Sequence, residues 1–219
     1  MRFANRKAAG EALAQSLDRY RGADCVVYAL PRGGVVPGVV VADALGCPLD
    51  LVIPRKIGHP HNSEYAIAAV TEQGEPVVNA AEVARVDAEW FEREVANQRR
   101  EAARRRQSYL GDRDAVSPAG RTAILVDDGI ATGLTMEAAV ADVKGRAPAR
   151  IVVAVPVAPA DTVARLRRAV DDVVAVEAPE LFLGGVGAYY ADFRQVGDDE
   201  VVEAMENFRN PGRDDDADS

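Results

Sequence analysis

Ile124-Leu125-Val126-Asp127-Asp128-Gly129-Ile130-Ala131-Thr132-Gly133-Leu134-Thr135-Met136 is the stretch whose reading decides the fold. An apolar strand ends in two adjacent carboxylates, a short loop follows, and a helix opens near Leu134. In open α/β sheets, ligands bind beyond the carboxyl ends of the strands. The loop offers backbone N–H groups and the hydroxyls of Thr132 and Thr135 beside a helix N-terminus, a cradle suited to a monophosphate. Gly133 allows close backbone approach. Asp127 and Asp128 stand next to that cradle, where they can accept hydrogen bonds from sugar hydroxyls or hold a hydrated Mg²⁺, directly or through water. Phosphate on one side and a vicinal diol on the other describe a ribose 5-phosphate site. A bare strand–turn–helix is common; the full spacing, with Asp-Asp, three residues, then Thr-Gly-x-Thr, is far rarer.

Outward from this run, two periodicities alternate. Arg6 to Tyr20 reads as an amphipathic helix with Asn5 as N-cap. Asp24 to Leu30 is a short apolar strand broken by Pro31-Arg32-Gly33-Gly34. Val35 to Leu45 is a helix apolar on nearly every face, with Gly46 as its stop, and Leu49 to Pro54 is a second buried strand. Arg55 to Glu64 reads as a polar loop holding both histidines, and Tyr65 to Thr71 with Pro76 to Asn79 as a hairpin turning at Glu72-Gln73-Gly74. A long charged helix covers Val86 to Leu110. Further strands are expected at Arg121 to Val126, Ile151 to Val155 and Asp172 to Val176, with helices at Thr132 to Lys144 and Asp161 to Ala169. Strands separated by single helices imply an α/β fold: a mostly parallel twisted sheet covered on both faces.

Bulk properties narrow the function classes. With 219 residues, 48% of them apolar, the chain suits one domain with a full core. A net charge of −9 argues against a general nucleic-acid binder, which needs a basic face for phosphates. Met1-Arg2-Phe3-Ala4 lacks the apolar region of a signal peptide, and no segment has the length of a membrane helix, so a soluble cytoplasmic protein is expected. Cys25 and Cys47 read as small core residues in a reducing compartment.

The run from Ile124 to Thr135 resembles the phosphoribosyl diphosphate-binding motif of type I phosphoribosyltransferases. The resemblance extends over most of Asp24 to Arg194, though only a few patches are specific. It implies that Asp127 and Asp128 face the ribose hydroxyls and that Ala131, Thr132, Gly133, Leu134 and Thr135 wrap the 5-phosphate. Arg32, Gly33 and Gly34 match the loop that grips the diphosphate. Arg55 to Glu64 takes the place of a flexible lid, in which Arg55 and Lys56 would neutralise the departing diphosphate; His59 and His61 read equally as proton donors or as solvated side chains. Ala131 stands where hypoxanthine–guanine enzymes carry an aspartate, which argues against a 6-oxopurine acceptor held in that way. The chain is also similar to a group of stand-alone phosphoribosyltransferases, with Asn62-Ser63-Glu64 where those show Asn-Pro-Glu. By the same resemblance, one domain covers residues 1–210, with a core over about 24–178 and a small C-terminal hood over about 179–210. The acidic tail 211–219 is expected to be disordered. Within the hood, Phe182, Val186, Tyr190 and Asp192 are acceptor-binding candidates, each also readable as packing.

The activity so implied is Mg²⁺-dependent transfer of the 5-phosphoribosyl group from phosphoribosyl diphosphate to a nitrogenous base, releasing diphosphate, with Arg32, Lys56, Asp127 and Asp128 as catalytic residues. The alternative is a regulator that senses phosphoribosyl diphosphate without turnover and acts on a protein or RNA partner; the cations of Arg55 and Lys56 favour the enzyme. Relatives often pair, so a homodimer is expected. Arg99, Arg100, Arg104, Arg105 and Arg106 on the long helix read as a solvated face beside Glu92, Glu94 and Glu101 rather than as an RNA contact.

Overall fold

The computed structural model describes residues 3–208; the expected tail 211–219 lies outside them. Five strands form one parallel sheet: β1 (Cys25–Ala29), β2 (Leu49–Leu51), β6 (Thr122–Val126), β7 (Arg150–Val157) and β8 (Asp172–Glu177), in the order β2-β1-β6-β7-β8. β3 (Arg55–His59), β4 (Asn62–Val70) and β5 (Val77–Val78) make a separate antiparallel sheet. The helices are α1 (Arg6–Ser16), α2 (Val35–Leu45), α3 (Ala80–Val83), α4 (Ala88–Leu110), α5 (Leu134–Lys144), α6 (Ala160–Leu166) and α7 (Asp198–Asn207).

The parallel sheet is buried on both faces, and strand alternation divides its side chains between two cores. Val27, Ala29, Ile124, Val126, Val152 and Ala154 point into one, with α1, α2 and α7. Val26, Tyr28, Ala123, Leu125, Val153 and Val155 point into the other, with α5 and α6. Register fixes where the loops emerge. Ala29 lies beside both Leu51 and Val126, and Val126 beside Ala154. The loops after β1, β2 and β6 therefore leave at one edge, which is where a ligand would meet them.

Two expectations are corrected here. Arg55 to Glu64 is not a loop: it forms β3 and the start of β4, an antiparallel hairpin with register shifts around Gly58. Its apolar face, with Ile57, Ile67 and Val70, packs under Val83, Val86, Trp90 and Phe91 of the following segment. The polar composition concealed a strand because, from Arg55 to Glu64, Ile57 alone is buried. Cys25 and Cys47 are not separate thiols but are joined in a disulfide, their Cα atoms 5.7 Å apart. Parallel pairing of Val27 with Leu49 sets the residues two positions upstream side by side, a proximity that a separation of 22 residues does not reveal.

The inserted helix α4 is tied to the core by arginines. Arg106 donates to the Leu51 carbonyl at 2.8 Å and to both oxygens of the buried Asp50 at 3.0 and 3.2 Å. Arg99 donates to the Gly74 carbonyl at 2.9 Å. Two of the five arginines read as solvent-facing are thus structural anchors. Breaking a buried pair leaves an uncompensated charge. Arg106→Met is expected to cost about 3 kcal/mol, read by thermal unfolding as a drop of roughly 6–12 °C in Tm.

Candidate functional site

The glycine loop after β1 and the Asp127-Asp128 pair after β6 press directly on each other. A β-carbon on Gly33 would collide with the Asp128 carboxylate, and one on Gly34 would lie 2.6 Å from the Leu30 carbonyl oxygen and 2.9 Å from Asp127 Cα. Only glycine permits this approach. The two aspartates are partly enclosed. Burial and the neighbouring Asp128 charge push the Asp127 carboxyl well above the ordinary range. Burial also raises Asp128, opposed by Arg6.

Arg6 is a site residue that the sequence reading missed. Its Nε lies 2.6 Å from Asp128 Oδ2, its Nη1 donates to the Arg194 carbonyl at 2.7 Å, and its guanidinium sits 3.8 Å above the Phe193 ring. Residues 122 positions apart meet because α1 packs on α2, β7 and β8, which carries its first residue to Asp128. Position 6 carried no local motif: an arginine opening an amphipathic helix looks like ordinary surface charge.

Beyond the aspartates, Ala131 and Thr132 are exposed and Gly133 takes φ +87° as the residue before α5. No side chain caps this helix start, so the N–H groups at Leu134 and Thr135 face outward in the manner of an anion site. The loop is braced from α6: Thr162 Oγ1 donates to the Ala131 carbonyl at 3.3 Å, and Arg165 bonds both the Thr132 carbonyl and Glu137.

The hood residues divide. Tyr190 is fully buried and its hydroxyl donates to the Asp128 carbonyl at 2.5 Å, supporting the aspartate turn from within. Val186 packs against Gly129, next to the aspartates, and Phe182 stacks on Tyr189 with centroids 5.1 Å apart. Asp192 is exposed and lines a cleft of about 190 Å³ with Asn5, Arg6, Lys7 and Arg194.

The cations are less concentrated than the sequence suggested. Arg32 Nη1 lies 3.8 Å from Asp198 at the start of α7. Arg55 Nε donates to Gln98 on α4 at 3.1 Å. Lys56 projects from β3 into solvent, and among the described residues no hydrogen bond or ion pair joins it to the aspartates. His59 and His61 stand at the hairpin tip, their rings 5.5 Å apart. No group of three or more His, Cys, Asp or Glu able to hold a metal occurs among the described residues. Two adjacent carboxylates fit a Mg²⁺ ion that keeps most of its water and draws its other ligands from substrate oxygens. No described helix is long and apolar enough to cross a membrane.

Known proteins resemble this chain in sequence and in fold. The crystal structure of TT1426 from Thermus thermophilus is 44% identical, with a TM-score of 0.79 over 94% of this chain and 98% of that one. A Mycobacterium tuberculosis H37Rv protein named "Putative phosphoribosyl transferase Rv0571c" is 41% identical over 202 residues, 91% of this chain and 45% of that protein. The chain therefore spans a little under half the length of the curated relatives it matches. A family model described as phosphoribosyl transferase domain matches residues 3–191, which take in the glycine loop, the aspartate pair and the first part of the hood. With that match over most of its length, the chain, built on a parallel five-stranded sheet, belongs to the phosphoribosyl transferase domain family.

Proposed function

We propose that the protein transfers the 5-phosphoribosyl group from phosphoribosyl diphosphate to a nitrogenous base or related acceptor, releasing diphosphate, with Mg²⁺ required. The observation that carries this reading is the contact of the glycine loop with Asp127-Asp128 at one sheet edge, beside the uncapped start of α5. One cradle takes the 5-phosphate, the carboxylates take the diol, and the glycine loop takes the diphosphate.

The chemistry follows from charge. As the bond from the anomeric carbon to diphosphate lengthens, the sugar ring becomes cationic and the leaving group gathers negative charge. Asp127 and Asp128 beneath the ribose favour the first, and Arg32 with the loop amides favours the second. Mg²⁺ bound at the two carboxylates would supply positive charge for the diphosphate oxygens. Arg55 and Lys56 lie on a hairpin with its own apolar base, so closure over the diphosphate would move β3 and β4 together. Phe182 and Val186 would line the acceptor side.

The test is diphosphate release from phosphoribosyl diphosphate with Mg²⁺, screened across purine, pyrimidine and pyridine bases. Release that depends on one acceptor class supports the transferase. Tight ligand binding with no release for any base would replace it with the sensing role.

A further inference from the structure

Helix α4 carries one polar stripe, Gln98, Glu101, Arg105 and Tyr109, whose spacings of three and four residues put all four on one face. Gln98 accepts from Arg55 at 3.1 Å. Glu101 pairs with Arg105 at 2.9 Å and also holds Arg104. Tyr109 donates to Asp198 Oδ1 at 2.5 Å, and that same oxygen lies 3.8 Å from Arg32. The stripe thus gathers Arg55 from β3 and Arg32 from the glycine loop on either side of Arg105. Burial, and next the positive charge of Arg105, push the Arg55 pKa down. Glu101 opposes that shift, but the side-chain partner of Arg55 is the Gln98 amide oxygen rather than a carboxylate, and among the described residues the only carboxylate on Arg32 is the distant Asp198, so both guanidiniums have charge left to offer an anion.

We propose that Arg105, from the inserted helix, is a third ligand of the diphosphate beside Arg32 and Arg55, and that Asp198 is a positioning residue that holds Arg32 until the diphosphate displaces it. This rests on phosphoribosyl diphosphate being the ligand. A diphosphate presents several anionic oxygens, and guanidinium forks match them in pairs. The Arg32–Asp198 contact is long and partly exposed, the two side chains being 30% and 55% accessible, so it is weak and readily exchanged. Tyr109 keeps the Asp198 carboxylate in place.

Calorimetric titration of phosphoribosyl diphosphate and of inorganic diphosphate, each with Mg²⁺, tests this in the full chain. Arg105→Ala should weaken both roughly tenfold, the size of one hydrogen bond to a charged group, and Arg105→Lys should recover part of it. Asp198→Asn should tighten both about threefold, because it releases Arg32 from a weak pair; a role confined to folding would not strengthen binding. Arg93→Ala, which removes the same charge from the far end of α4 where Arg93 pairs with Glu89, should change neither. Thermal unfolding of each variant identifies any loss of fold. Wild-type binding that Arg105→Ala leaves unchanged would overturn the proposal while keeping the ligand. Absence of wild-type binding to either compound would overturn the ligand assignment itself, and the proposal with it.

Discussion

Asp127→Asn is expected to weaken binding of phosphoribosyl diphosphate with Mg²⁺ by about tenfold or more, and the Asp127→Asn/Asp128→Asn pair by about a hundredfold or more, each lost charged acceptor being worth about 1.5–3 kcal/mol. Asp127→Asn should at the same time raise Tm. Burial and the Asp128 charge lift the Asp127 pKa above its unfolded value. A group of this kind contributes stability below the ordinary aspartate range and loses that contribution as pH rises through the raised value. At neutral pH the wild type therefore carries a folding penalty that a neutral amide lacks. The Tm gain should shrink as pH falls and the wild-type carboxyl takes up its proton. Calorimetry and unfolding scans across pH measure both effects. Unchanged affinity in the double variant would remove the carboxylates from the ribose site, and a lower Tm in Asp127→Asn would contradict the enclosure argument.

Arg6→Met should destabilise the fold by about 3 kcal/mol or more, the cost of leaving one member of a largely buried ion pair without its partner. Asp128 and Arg6 side chains are only 14% and 10% accessible, so solvent replaces little of the lost interaction. The same substitution removes the bond to the Arg194 carbonyl and the contact with Phe193, so the hood loses its tie to the aspartate turn. Combining Arg6→Met with Asp128→Asn should cost clearly less than the two separate changes added together, because the second removes the stranded charge. Additive losses in that double-mutant cycle would mean that Arg6 acts through packing alone.

The strand and helix pattern was legible because the central strands β1, β6 and β7 are apolar over most of their length on both faces and lie near glycine, proline or paired acids. α2 falls at Val35–Leu45, the span read from its sequence, with Gly46 closing it at φ +68°. The hairpin β3–β4 was missed because Arg55, Lys56, His59 and His61 gave it the composition of a loop; its apolar face is completed by Trp90 and Phe91, residues far along the chain. The long helix showed its period clearly, but not that Arg106 would reach the buried Asp50.

Sequence alone located the loop and helix start after β6, the paired aspartates and the glycine loop, because each lies within a few consecutive residues: a helix opening after Gly133, adjacent carboxylates, and glycines that let backbone approach backbone. Tertiary structure alone decided what surrounds them. Arg6 on Asp128, Tyr190 beneath it, Asp198 on Arg32 and the α4 stripe between Arg32 and Arg55 are contacts between residues far apart in the chain. Their physical basis is register: parallel pairing brings the ends of β1, β2 and β6 to one edge, and helices packed on that sheet deliver side chains there whose own sequence neighbourhoods give no sign of it.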